Sequence, residues 1–253
     1  MKPDRFLPAA FFFVLAVAMF PRLLAGDTFF HYDTWMQNLT FRAWWFDQLR
    51  AGHFATWCPG LFAGFPLFAE TQTGPLYPPT FILFGLLPAP AAFSASVLLH
   101  FALAGTGMYV LARRYGAEPA AAVFAGAAFE LSGFLVTHVV HFNLLTGAAW
   151  MPWALVAAEG VRRGRPRALP ALAAVIALQL LGAHPYATLM TLALVGITWG
   201  LRSGSLPTAG RIAVRIAVAV VLAAGLAAVQ IWPTQEFLAR TPRADAVTWE
   251  FLT

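Results

Sequence analysis

The chain has 253 residues, of which 60% are hydrophobic and 11% charged, with a mean hydropathy of +0.69; soluble domains carry about 45–50% apolar and about 25% charged residues. So few charges cannot cover a water-soluble core, whereas lipid accepts helices that are apolar all round, which excludes a soluble protein and points to an integral membrane protein. The net charge of +5 is no signature of nucleic acid, because in a chain that crosses a membrane repeatedly Lys and Arg report sidedness first.

Seven apolar windows of spanning length are predicted, at about 6–24, 91–112, 118–138, 142–159, 168–183, 186–201 and 211–231. The expectation is therefore all-α: a polytopic transmembrane helix bundle forming a single domain over residues 1–253, with a large extracytoplasmic loop at 25–90 that carries interfacial helices. Repeats and low-complexity tracts are absent. Seven spans that end in an outer tail suggest the N-terminal part of a longer protein. With the N-terminus inside, Lys2, Arg5, Arg113, Arg114, Arg162, Arg163, Arg165, Arg167, Arg202, Arg211 and Arg215 all fall on the cytoplasmic side, as the positive-inside rule asks. The first window also has the form of a signal peptide, but Pro21-Arg22 and the bulky Leu23-Leu24 make a poor cleavage site.

Acids and histidines concentrate on the opposite side: Asp27, Asp33, Asp47, Glu70, Glu236, Asp245 and Glu250, with His31, His53, His138, His141 and His184. Asp27 follows the first span directly, and Asp33 lies six residues on. Two carboxylates so close can share a divalent cation, or one can act as a general base while the other tunes it; they can equally be solvated loop acids. In "TWMQNLTFRAWWFDQLR", residues 34–50, Trp35, Met36, Leu39, Ala43 and Phe46 form one stripe at helical spacing. Such a helix lies in the membrane interface or packs on the tops of the spans. Asn38-Leu39-Thr40 matches a glycosylation sequon, although the membrane contact of its helix argues against use.

Next comes "LFAGFPLFAETQTGPLYPPTFILF", residues 61–84, an aromatic loop broken by Gly and Pro that holds Glu70 and Gln72; Cys58, just before it, is the sole cysteine and excludes an intrachain disulfide and a Cys-type metal cluster. "VTHVVHFN" sets His138 and His141 one turn apart, with Asn143 beside them; the spacing fixes no third metal ligand, and hydrogen-bonded interface histidines are the default. His184, in "LGAHPYA", tops the fifth window. His100 reads as an interhelical hydrogen-bonding residue. Glu130 lies within the third window, where a carboxyl costs roughly 2.5–3.5 kcal/mol on insertion scales and should be neutral, paired or facing water.

Taken together, "GD" after the first span, "RAGHFATWCPGLFAGFPLFAETQTGPLYPP", "LSGFLVTHVVHFNLLTGAAWMPW" and "LGAHPYATL" resemble the YfhO-type bacterial membrane proteins, in order over about residues 22–200. That family in turn resembles the GT-C class of membrane glycosyltransferases. The resemblance implies transfer of a sugar from a polyprenyl-phosphate donor to an envelope glycan, lipid or protein acceptor, at the outer face of the bacterial cytoplasmic membrane. It implies Asp27 as general base and Glu70, Gln72, His138, His141, Asn143 and His184 as substrate-binding residues; Asp33 stands near Asp27 by its place in the sequence, and the outer arginines Arg42, Arg240 and Arg243 join the histidines as candidates to hold the phosphate. It requires no cofactor and allows a divalent cation. Cys58-Pro59-Gly60 stands where a "WNP"-like turn is usual, and Glu130 replaces a small or apolar residue. A flippase would need polar residues spread through the spans along a pathway to the inner side, and only Glu130, His100 and Gln179 are clearly of that kind; a non-catalytic scaffold would not depend on the outer acids. No P-loop or Rossmann glycine pattern is present, which disfavours a soluble nucleotide-sugar donor.

Overall fold

The computed structural model describes residues 6–29, 31, 33–182, 184–202 and 206–241, with the backbone alone at 206 and 207. The expectations for Lys2, Arg5, Arg243, Asp245 and Glu250 lie outside the described residues. Every regular element described is helical, apart from one isolated antiparallel bridge between Cys58 and Phe65. The helices are α1 (Leu7–Met19), α2 (Thr40–Arg50), α3 (Pro78–Leu86), α4 (Ala89–Arg114), α5 (Pro119–Glu130) and α6 (Gly133–Thr137), then α7 (Phe142–Arg162), α8 (Ala168–Gly182), α9 (Pro185–Arg202), α10 (Leu206–Leu226) and α11 (Ala228–Ala239). Prolines sit in the first turn of α1, α3, α4 and α5, where the missing N–H is one that a helix start would leave unpaired in any case.

Four stretches are long and apolar enough to cross a membrane: Ala89–Arg114, Pro119–Thr137, Phe142–Arg162 and Thr208–Leu226. Leu7–Met19 and Ala168–Gly182 are apolar but shorter; at 1.5 Å per residue they run only about 20 Å and about 22 Å. The stretch Pro119–Thr137 is interrupted: α5 ends at Glu130, and the Ser132 side chain caps α6 by accepting from the Leu135 N–H at 3.4 Å.

Helix α4 is the centre of the bundle, packed against α1, α5 and α7; α7 in turn carries α8 and α9, and α8 carries α10. Close approach is built on small residues. A side chain at Gly126 of α5 would run into the backbone carbonyl of Gly105 on α4, 2.8 Å from an ideal Cβ, and into the Phe12 ring of α1. Two cores result. One, around α1, α3, α4, α7 and the 25–90 loop, is aromatic, with Trp45, Phe46, Phe84, Phe93, Phe101 and Phe142 fully buried. The other, between α7, α8 and α10, has Ala, Val, Leu and Ile as its buried residues, with Trp199 packed against it.

The 25–90 loop is folded onto one end of the bundle. Its anchor is Tyr77, held at the entrance to α3 by Pro78 and Pro79 and inserted between three helices. The His100 Nδ1 lies 2.6 Å from the Ser96 carbonyl, which can only accept, so Nδ1 carries the proton; Nε2 then accepts from the Tyr77 hydroxyl at 2.8 Å. Trp150 of α7 donates to the same hydroxyl oxygen at 2.6 Å, and the ring covers Gly182 of α8, which leaves no room there for a Cβ. Burial raises the Tyr77 phenol well above its ordinary value, so the hydroxyl remains a donor. His100 was expected to hydrogen-bond between helices; its bonds go instead to its own helix and to the loop, and it reaches α7 only through the shared Tyr77 hydroxyl.

Segment 34–50 differs in phase from its apolar stripe. Residues Thr34–Leu39 form a π-helical turn before α2, and its wider winding breaks the 3.6-residue period. Trp35 and Met36 are exposed, while Asn38, Leu39, Phe41, Arg42, Trp45 and Phe46 are buried. The segment therefore packs on the loop and the bundle through a face that keeps Leu39 and Phe46 of the stripe but turns Trp35 and Met36 outward and brings in Asn38, Phe41, Arg42 and Trp45. Asn38 is committed to this packing, its amide donating to the carbonyls of Asp33 at 3.2 Å and Val140 at 3.1 Å.

Candidate functional site

The polar residues of the loop end form one connected layer centred on Arg42. Its side chain is 1% exposed. Nη1 donates to the Asn38 carbonyl at 2.7 Å and to its Oδ1 at 3.2 Å, and Nη2 donates to the Gln72 carbonyl at 2.7 Å. The guanidinium lies 5.1 Å above the Phe142 ring, a cation–π arrangement. Burial pushes Arg42 down to about 10, and the charge of Glu70 acts against that shift. Glu70 itself accepts from the Gln72 N–H at 3.1 Å, and burial raises its carboxyl above the usual range.

From Gln72 the layer continues into α7 and α8. The Asn143 side chain donates to Gln72 Oε1 at 3.3 Å, and the Asn143 carbonyl accepts from the His184 N–H at 3.3 Å. His184 Nδ1 accepts from the Tyr186 N–H at 3.2 Å, which leaves the proton of the neutral ring on Nε2; partial burial lowers its basicity. On the other flank, Asp33 Oδ2 lies 3.4 Å from His141 Nε2, and the His141 and His138 rings are 5.5 Å apart. His138 stacks on Phe134 at 4.2 Å and points Nδ1 at the Phe134 carbonyl, 2.8 Å away.

Five of the nine expected site residues, Arg42, Glu70, Gln72, Asn143 and His184, are thus joined by hydrogen bonds, and Asp33, His141 and His138 form a second group on the flank, tied to the first through the Asn38 bond to the Asp33 carbonyl. Asp27 stands apart. Its carboxylate takes a 2.7 Å hydrogen bond from Arg22 Nε, and its carbonyl accepts from Ser94 of α4 at 3.1 Å. Among the described residues no hydrogen bond or ion pair joins it to the Arg42 layer, and no group of three His, Cys, Asp or Glu is placed to hold a metal ion. The shared-cation arrangement of Asp27 and Asp33 has no counterpart among these contacts, since each carboxylate has its own partner.

Two cavities with Leu23 as a common wall lie near the end of α1, and Asp27 lines one of them. One, of about 540 Å³, is bounded by Arg22, Asp27, Thr28 and Phe29 together with Met19 and Phe20. The second, of about 480 Å³, is an apolar groove between α1 and α4, lined by Phe13, Leu24, Ala91, Ala95 and Leu98. Leu23 lines both. A charged mouth therefore opens next to an apolar slot, the form that suits an amphiphile with a polar head and a hydrocarbon chain.

Glu130 belongs to neither region. It is fully buried, its carboxyl packs against Gly105 and Phe12, and neither oxygen has a hydrogen-bond partner. Of the expected forms, the paired one has no counterpart among the described residues. Sequence reasoning did not single out Arg22, Asn38, Tyr77 or Trp150 for these roles. Only Tyr77 carried a signal, the Tyr-Pro-Pro run that fixes its backbone. Comparison of the chain with family models, with curated proteins and with solved structures gives no match.

Proposed function

We propose that this chain is part of a GT-C-like, YfhO-type membrane glycosyltransferase that uses a polyprenyl-phosphate-linked sugar and acts at the outer face of the bacterial cytoplasmic membrane. In this reading the spans number seven: α1, α4, the interrupted α5–α6, α7, α8, α9 and α10. The N-terminus is cytoplasmic and the 25–90 loop extracytoplasmic. The observation that carries the reading is the Asp27–Arg22 pair in a cavity that shares the Leu23 wall with an apolar groove.

The prenyl chain lies in the α1–α4 groove, which leaves the phosphate and sugar at the mouth. Asp27 exchanges its bond with Arg22 for one with the acceptor hydroxyl and takes that proton as the oxygen attacks the anomeric carbon. The anomeric carbon–oxygen bond breaks, and the phosphate departs with the bonding electrons. Arg22, released from Asp27, stabilises the departing anion through its planar set of donors. Arg22 thus takes the phosphate-binding role expected of Arg42, which is buried and bonded to protein carbonyls. The Arg42 layer holds the loop over the site, and His138, His141 and His184 at its edge offer contacts to sugar or acceptor.

The test is transfer of label from polyprenyl-phosphate sugars by membranes that hold the full-length protein, wild type against Asp27→Asn. Loss of transfer at unchanged protein level supports the base assignment. Transfer at the wild-type rate removes it, and failure of the wild type with every donor favours a flippase or a scaffold of envelope glycan assembly.

A further inference from the structure

The end of the bundle opposite the loop carries a second site of different chemistry. A cavity of about 810 Å³ opens between the last turn of α7 and the first turns of α10, lined by Arg162, Arg211 and Arg215 with Thr208, Gly210 and Val214. Three arginines border it and, among the described residues, no carboxylate lines it. Glu159, close by in sequence, is already engaged: it accepts from Arg162 at 2.7 and 2.8 Å and from Arg163 at 2.6 Å. Arg215 reaches only the Val161 carbonyl, at 3.5 Å, and Arg211 has no hydrogen bond or ion pair among the described residues.

The face continues in apolar character. Arg211 and Arg215 are four residues apart and lie on one side of α10. Val218 and Leu222 extend the same stripe with 44% and 47% exposure, flanked by Val214 and Val221 at 64% and 70%. From Arg211 to Leu222 the helix rises about 16 Å, roughly half the thickness of a bilayer's hydrocarbon core. Guanidinium groups match phosphate oxygens in shape and charge, and the strip beneath them matches acyl chains.

We propose that this face binds an anionic phospholipid, its phosphate held among Arg162, Arg211 and Arg215 and its chains laid along Val218 and Leu222. Arg162 is shared with Glu159, but Arg211 and Arg215 have no carboxylate partner among the described residues, and their net positive field selects against a zwitterionic lipid, whose ammonium group would enter it. Soluble phosphate satisfies the cations but leaves the apolar strip without a partner. The proposal rests on the chain's membrane character and is independent of sugar transfer, so Asp27 can lose its role without consequence here.

The test is native mass spectrometry of the full-length protein in detergent, offered phosphatidylglycerol and phosphatidylcholine in equal amounts, with inorganic phosphate as competitor. Wild type retains phosphatidylglycerol in preference. The Arg211→Gln/Arg215→Gln variant binds it about thirtyfold more weakly, at about 1 kcal/mol for each arginine near a lipid surface. These two side chains are exposed, so the variant folds; the Arg113→Gln/Arg167→Gln variant, altered at exposed arginines outside the cavity, retains the lipid. Equal retention of phosphatidylcholine, equal loss in both variants, or displacement by inorganic phosphate at matching concentration overturns the proposal.

Discussion

Arg42 and Glu159 are buried charges at opposite ends of one bundle, and their partners differ in kind. Arg42 is a lone cation bonded to two backbone carbonyls and an amide oxygen, with no carboxylate in direct contact. Glu159, 3% exposed, is surrounded by the guanidinium groups of Arg162, Arg163 and, at 3.9 Å, Arg202. Those arginines are 28–42% exposed and keep their heads near water, whereas Arg42 has no such escape. A burial of this kind spends stability on fixing geometry: Arg42 ties the π-helical segment, the loop at Gln72 and the start of α7 into one unit. At the other end the cluster merely closes the base of α7.

Removing each charge separates the two cases. Arg42→Ala leaves the carbonyls of Asn38 and Gln72 unpaired and Glu70 without a nearby cation, and opens a void beside Phe142. The expected loss is about 3–5 kcal/mol, the range for breaking a buried charged group from its partners. Thermal unfolding of the protein in detergent reads it, and protection of the 25–90 loop from protease should fall in parallel. Glu159→Gln keeps the shape and frees three arginines that can turn to water, so the loss is smaller, about 1–2 kcal/mol. Equal losses at the two sites would mean that Arg42 is not the cross-link its contacts describe.

The pH dependence sharpens the same contrast. Burial raises the folded-state value for Glu70 above that of the unfolded chain. Between the two values the native state holds a proton that the unfolded state has lost, so stability falls as pH rises through that window. The window opens at the ordinary carboxylate value, about 4.3, and extends upward. Glu70→Gln should flatten this slope and leave stability less dependent on pH between 4 and 7, measured as unfolding midpoint against pH. A wild-type slope of opposite sign would show that the Arg42 charge outweighs burial at Glu70.

Much of this architecture was legible in the sequence, for a physical reason: lipid-length apolar segments are long signals that a few polar residues do not erase. The windows at 91–112, 118–138, 142–159 and 211–231 correspond to the four stretches long enough to cross. The interruption at Leu131-Ser132 was not foreseen, because one capping serine hardly changes the hydropathy of its window. For residues 34–50 the stripe held Leu39 and Phe46, which are buried, but misplaced Trp35 and Met36, since a period of 3.6 residues cannot anticipate a π-turn. The site was legible as a set of side chains on one end, and Arg42, Gln72 and Asn143 do meet. What sequence could not separate was a polar residue that binds a substrate from one that holds a loop. Arg42 looked like the first and is bonded as the second, and the burial that decides between them arises from chain segments far apart in sequence.

The smallest expected effect is the one on which the activity test depends. Asp27 and Arg22 form an exposed pair, with side chains 49% and 87% accessible; such pairs contribute about 0–1 kcal/mol. The Ser94 bond at this position goes to the Asp27 backbone carbonyl, which a substitution leaves in place. Asp27→Asn should therefore shift stability by less than about 0.5 kcal/mol, measured by the same unfolding assay. If it does, loss of sugar transfer in that variant reports chemistry and not folding. If the variant is instead destabilised as strongly as Arg42→Ala, Asp27 is part of the frame, and the search for a base moves to Asp33, whose Oδ2 lies 3.4 Å from His141 Nε2 at the edge of the Arg42 layer.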